Sequence, residues 1–206
     1  MIIGISEGFH DAAICVLDDN QIVFASHAER HSRKKGDKYL HSYQLSKIRD
    51  NRDAIVAYYE KLFSKNLRRL YAGQKWRKPR IKYDMSFRHH ESHAATGYYT
   101  APFDDCNIIV VDAIGEWDTI SIWDNMKKVR SWKYPYSLGL LYSAITQRIG
   151  LKPNEDEYIT MGMAAFGEPK YDLEDQLWEN NHRGCGNIFP EARSEDLAAS
   201  IQDLYE

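Results

Sequence analysis

Two histidines and a carboxylate carry the strongest chemical signal in the sequence. His89 and His93 stand four residues apart, so on a helix their imidazoles project from one face and could share a metal ion. Asp112 follows the apolar run Ile108, Ile109, Val110 and Val111. Such a run reads as a buried strand, and open α/β sheets place ligands beyond the C-terminal ends of their strands. Two imidazoles and one carboxylate suit iron, zinc or manganese, with positions left open for substrate. The segment His90-Glu91-Ser92-His93 is one residue short of the zincin spacing and gives no support for a metalloprotease.

Two further stretches could take part in chemistry. His10 and Asp11 fall in the short loop Glu7-Gly8-Phe9-His10-Asp11, and such a loop can turn backbone N–H groups, that of Gly8 among them, toward a phosphate. From Lys65 to Lys82 the chain carries eight Lys or Arg and no Asp or Glu, with Tyr71 and Trp76 interleaved. Cations mixed with stacking rings suit a phosphate-bearing polymer, which makes Lys75, Trp76, Arg77, Lys78 and Arg80 candidate nucleic-acid contacts. The competing reading is a basic helix end and loop that face solvent or an acidic partner.

The elements that must hold these residues follow from periodicity and punctuation. Residues 2 to 6, 12 to 18 and 21 to 28 read as three short strands, the last two joined at Asp18-Asp19-Asn20 by a hairpin turn. Residues 42 to 70 read as a long helix capped by Ser42, with Leu45, Ile48, Ile55, Tyr58, Tyr59 and Leu62 on its apolar face and a break near Asn51. Beyond Asp112 come strands over 119 to 123 and 129 to 134, then helices over 135 to 150 and 154 to 169, and a last helix over 194 to 204. Gly184-Cys185-Gly186 reads as a flexible point, and His182 with Cys185 as incidental rather than as a metal pair.

Composition excludes several classes. Apolar residues make up 43% and aromatic ones 13%, far too much for a disordered tail, and 206 residues suffice for a real core. The net charge of -3 conceals the basic stretch and says little alone about partners. The cysteines Cys15, Cys106 and Cys185 are odd in number and widely spaced, so neither a disulfide framework nor a cysteine zinc site is expected. The N-terminus lacks the basic region of a signal peptide and no run is long enough to span a membrane, which makes a cytoplasmic protein with no membrane partner the expectation.

Taken in order, the motifs resemble the N-terminal region of the O-carbamoyltransferases of the nodulation and antibiotic-tailoring type. They run from Gly4-Ile5-Ser6 and Phe9-His10-Asp11-Ala12-Ala13, through Glu29-Arg30 and Ser32-Arg33, to His89-His90 and His93-Ala94-Ala95. Pro102-Phe103-Asp104, Val111-Asp112, Gly115-Glu116-Trp117 and the run from Ser137 to Ser143 follow, and Glu157-Tyr158 leads through Met161-Gly162-Met163-Ala164 to Gly167-Glu168-Pro169. Each piece is weak alone, and their order is what carries the resemblance.

The resemblance implies an α/β fold of the ribonuclease-H-like, actin-like (ASKHA) kind, related to the threonylcarbamoyladenosine enzyme: a mixed sheet with flanking helices. On that reading residues 1 to 171 form the N-terminal lobe and residues 172 to 206 a helical extension that contacts a partner chain. It implies His89, His93 and Asp112 as metal ligands, iron first and zinc or manganese as alternatives, with a further ligand from outside this chain. It implies His10 as the group that assists proton removal from an acceptor hydroxyl, with Asp11 beside it, and Gly8, Gly115 and Glu116 near the nucleotide. Carbamoyl phosphate and ATP would form carbamoyl-adenylate on a separate domain, so a larger chain with the second lobe and that domain is the expected partner. The basic stretch points to a polyanionic acceptor, for example hydroxymethylated bases in DNA, in a phage-infected cytoplasm. The alternatives are a noncatalytic regulatory lobe that binds nucleotide or nucleic acid, and an ATP-dependent kinase or ATPase of the same fold.

Overall fold

The computed structural model describes residues 1 to 178 and 188 to 206, and His182 and the Gly184-Cys185-Gly186 turn lie outside the described residues. The chain divides into two compact units, Met1–Ala101 and Pro102–Glu206.

In the first unit the strands β1 (Ile2–Ser6), β2 (Ala13–Asp18) and β3 (Gln21–His27) form an antiparallel meander. Asp19 and Asn20 both take positive φ at the β2–β3 turn, the primed geometry whose twist matches that of the flanking strands. Alternation puts Ile3, Ile5, Ile14 and Val16 on the buried face. The helix α1 (Glu29–Ser32) is a single turn, and α2 (Ser42–Asp50) begins the segment read as one long helix.

That segment is three elements. The cap of α2 is His41, not Ser42: its side chain accepts from the Tyr43 amide, and the Gln44 side chain returns a bond to the His41 N–H. At the other end Asn51 donates to the Lys47 carbonyl at 2.7 Å, and the polar run after it supplies no apolar face to continue on. Ile55–Tyr58 then forms strand β4, parallel to β1, and buries Val56 and Tyr58. Its β-branched pair and two-residue alternation suit a sheet, and pairing with β1 overrides the helical spacing of the apolar residues. The two-residue strand β5 (Met85–Ser86) completes the sheet in the order β3-β2-β1-β4-β5.

Between β4 and β5 lies α3 (Leu62–Tyr71), whose polarity is inverted. It buries Leu62, Lys65 and Asn66 and exposes Phe63, Leu67, Leu70 and Tyr71. The helix α4 (His89–Thr100) closes the unit.

The second unit opens with a three-stranded antiparallel sheet, β6 (Asn107–Val111), β7 (Asp118–Asp124) and β8 (Lys127–Lys133). Asp112 does terminate β6, but β6 is an edge strand rather than a buried one, with Ile109 and Val111 exposed and only Val110 buried. A strand paired on one side in an antiparallel sheet needs only one covered face, so an unbroken apolar run overstates its burial. The helices α5 (Leu138–Arg148), α6 (Glu157–Ala164), α7 (Glu174–Trp178) and α8 (Ser194–Tyr205) follow. Leu141 and Ile145 of α5, Leu173 and Leu177 at α7, and Leu197 and Ile201 of α8 form one core, so the C-terminal helix is part of this unit's interior.

Candidate active site

The β1–β2 loop carries His10 and Asp11 on a heavily anchored backbone. Glu7, 2% exposed, accepts from the Leu40 amide at 3.0 Å and pairs with Arg80 at 2.7 Å, while its carbonyl accepts from the Tyr58 hydroxyl. Burial, assisted by the Glu60 carboxylate, holds the Tyr58 phenol well above its ordinary range, so it stays a donor. Gly8 donates its amide to the Lys38 carbonyl and accepts from the Arg77 guanidinium through its own carbonyl. Its φ of +99° and the guanidinium lying where a Cβ would stand both require glycine there. Both backbone groups of Gly8 are therefore engaged inside the unit. Past these anchors the loop exposes His10 and Asp11, whose Nδ1 and Oδ2 lie 2.7 Å apart.

The basic stretch is partly structural. Arg77 N–H and carbonyl form a reciprocal pair with the buried Asn66 amide, at 2.9 and 2.7 Å, and Arg80 donates to the Leu40 carbonyl as well as pairing with Glu7. Trp76 lies edge-on to Phe63. Lys75, Trp76, Lys78 and Arg80 are exposed and Arg77 is half-buried, so the cationic surface is retained while two of its guanidinium groups also brace the β1–β2 loop.

His89 and His93 project from the first turns of α4 as their spacing predicts, with Nε2 atoms 3.0 Å apart and rings edge to face. Two ligands at about 2.1 Å from one cation and about 90° apart have this separation, so the pair fits two neighbouring positions of a metal shell. Ser92 fixes the helix by donating to the Tyr59 carbonyl at 2.8 Å. Behind His89 lies a group not anticipated from the sequence. Glu60, fully buried, pairs with Lys65 and brings Oε2 to 4.0 Å from His89 Nδ1. Burial lowers the Lys65 pKa, with the Glu60 carboxylate pulling the other way. Burial and the Glu60 charge push the neighbouring Tyr59 phenol upward.

In the second unit Asp112 accepts from the Ala113 amide at 2.7 Å through Oδ1 and donates its own amide to the Thr119 carbonyl. Ser137, the cap of α5, donates to the Ala113 carbonyl at 2.6 Å. A Cβ on Gly139 would stand 2.6 Å from Ala113 Cα, so α5 begins in direct backbone contact with the Asp112 turn. Gly115 donates its amide to the Asp118 carbonyl, which closes a turn, and Glu116 is buried.

The sheet and helices define the class first: the fold is actin-like. The activator of 2-hydroxyisocaproyl-CoA dehydratase from Clostridium difficile matches 97% of this chain and 70% of its own, with a TM-score of 0.54 and 12% identity. Component A of the Acidaminococcus fermentans (R)-2-hydroxyglutaryl-CoA dehydratase matches similarly, at a TM-score of 0.55 and 13% identity over 97% and 72%. The family follows from the sequence: residues 38–193 match the carbamoyltransferase N-terminus, and the chain belongs to that family. An uncharacterised Synechocystis protein is 33% identical over 82% of this chain and 35% of its own length. The nodulation protein NolNO of Sinorhizobium fredii is 26% identical over 94% of this chain and 33% of its own. The chain thus spans about a third of the length of these relatives.

Proposed function

We propose that this chain is the actin-like N-terminal part of an O-carbamoyltransferase, which moves a carbamoyl group from carbamoyl-adenylate to an acceptor hydroxyl. The observation that carries the reading is the convergent pair His89 and His93 in a member of the carbamoyltransferase N-terminus family. Asp112 is the proposed third ligand of an iron, zinc or manganese ion, which would supply charge stabilisation at the donor's phosphate or carbonyl. His10 takes the proton from the acceptor. With Nδ1–H directed at Asp11, its Nε2 carries the lone pair that a base needs. The acceptor oxygen bonds to the carbamoyl carbon, the bond from that carbon to the adenylate oxygen breaks, and AMP leaves with its electrons. Gly8 and Gly115 serve this reading as shapers of their loops.

Formation of the adenylate from ATP and carbamoyl phosphate is assigned to what the relatives carry outside the matched third. A polyanionic acceptor such as hydroxymethylated DNA has the exposed Lys75, Trp76 and Lys78 as its support. The test uses the complex copurified from its source, given ATP, 13C-labelled carbamoyl phosphate and candidate alcohols including hydroxymethylated DNA. Mass spectrometry should find the label as a carbamate ester, absent with His10→Ala. Phosphate on the acceptor would instead make the protein a kinase.

A further inference from the structure

The Glu60–Lys65 pair has no role in the chemistry proposed above, yet it is the most buried ion pair among the described residues, with side chains 0% and 10% exposed. Stability does not account for it, because a buried ion pair contributes little beyond what well-packed apolar side chains would. Its position is more informative. Glu60 follows β4 and Lys65 lies one turn into α3, so the pair sits where strand and helix meet behind α4. Oε2 faces His89 Nδ1 at 4.0 Å, Oε1 is buried and takes no hydrogen bond among the described residues, and Lys65 Nζ lies 5.5 Å from the ring centre of Phe9, next to His10.

The two Nε2 atoms 3.0 Å apart impose a condition on the protons. Both can give lone pairs to one cation only if each neutral ring carries its proton on Nδ1, and the group facing Nδ1 decides that tautomer. Free imidazole side chains favour the opposite form, with the proton on Nε2. For His89 the facing group is a buried carboxylate, which can only accept, and closing the 4.0 Å gap by about 1 Å would bring Oε2 within hydrogen-bond reach of an Nδ1–H.

We infer that Glu60 is a positioning residue that holds His89 in the Nδ1–H tautomer with Nε2 turned toward the cation, and that Lys65 holds Glu60 in place. The inference rests on the metal-centre reading of His89 and His93. It differs from that reading in assigning a task to residues that touch neither metal nor substrate.

The test compares the full chain with Glu60→Gln and with Glu60→Gln/Lys65→Met, in which no unpaired buried ammonium is left. Nitrogen-15 chemical shifts of His89 in the metal-free protein report the tautomer, and zinc titration reports affinity. Wild type should show Nδ1–H, and both variants should shift toward Nε2–H and bind zinc about 10- to 100-fold more weakly. The double variant should recover the thermal midpoint but not the affinity, which separates positioning from folding. An Nε2–H tautomer in wild type, or wild-type zinc affinity in the double variant, would overturn the inference. Absence of zinc binding to wild type would refute the metal centre, and the tautomer shift would still decide the role of Glu60.

Discussion

Replacing Gly139 with alanine sets two effects of opposite sign against each other. Helix propensity favours the change by up to about 1 kcal/mol, because glycine is the poorer helix former. Packing opposes it: the new Cβ would meet Ala113 Cα at 2.6 Å, Ala113 N at 2.7 Å and the Asp112 carbonyl carbon at 3.0 Å. These are backbone atoms that no rotamer can move aside, and the worst overlap falls about 0.8 Å short of ordinary contact, in an interior packed to crystal density. Overpacking of this kind costs about 3 kcal/mol, at the upper end of its usual range. Loosening of the Ser137 bond to the Ala113 carbonyl adds about 1 kcal/mol. The net expectation is a loss of about 3–4 kcal/mol. Gly162 in α6 is the control, since nothing lies within 4 Å of a Cβ there. Gly162→Ala should therefore stabilise by about 0.5–1 kcal/mol. Urea unfolding of wild type and both variants decides the matter. Equal signs, or a Gly139→Ala chain as stable as wild type, would refute the claim that α5 starts hard against the Asp112 turn.

Two other consequences are measurable. Gly8→Ala places a side chain at φ +99° and displaces the Arg77 guanidinium, so it should cost about 2–4 kcal/mol and do less harm when Arg77 is already Met. Additive losses in urea unfolding would show that the two are not coupled. Asp196 accepts from the Glu168 amide and from Lys170, which lowers its carboxyl pKa below the ordinary range. A lowered folded pKa means that its contribution is complete above the unfolded value of about 3.9 and disappears as pH falls through the folded one. Wild type should therefore lose its stability margin over Asp196→Asn on acidification, and a constant margin would count against the bond.

The strand meander and the hairpin turn at Asp19-Asn20 were legible because each rests on a local pattern, two-residue alternation and a turn-forming run, whereas the spacing of His89 and His93 gave a shared face only on condition of a helix, which α4 supplies. What failed was a conflict between local and long-range terms. Ile55, Tyr58 and Leu62 fit a helical stripe continuing from Leu45, and only pairing with β1, fifty residues earlier, makes Ile55–Tyr58 a strand. Reading a helix there hid Glu60, which lies just past the end of β4 with its side chain fully buried. The structural bonds of Arg77 and Arg80 were hidden for a related reason. A cation run says how much charge is present, but the carbonyls and the carboxylate that hold these two come from residues 7, 8 and 40. Glycine carried a similar ambiguity, since Gly8 and Gly115 mark tight turns whether or not a phosphate lies beside them.

Elemental analysis of the purified chain after anaerobic loading with iron(II), zinc or manganese asks whether His89 and His93 hold a metal ion. One ion per chain is expected, lost in His89→Ala and His93→Ala and weakened in Asp112→Asn, while all three variants keep the wild-type circular dichroism. Wild-type chain without bound metal, or metal retained in His89→Ala/His93→Ala, would contradict it.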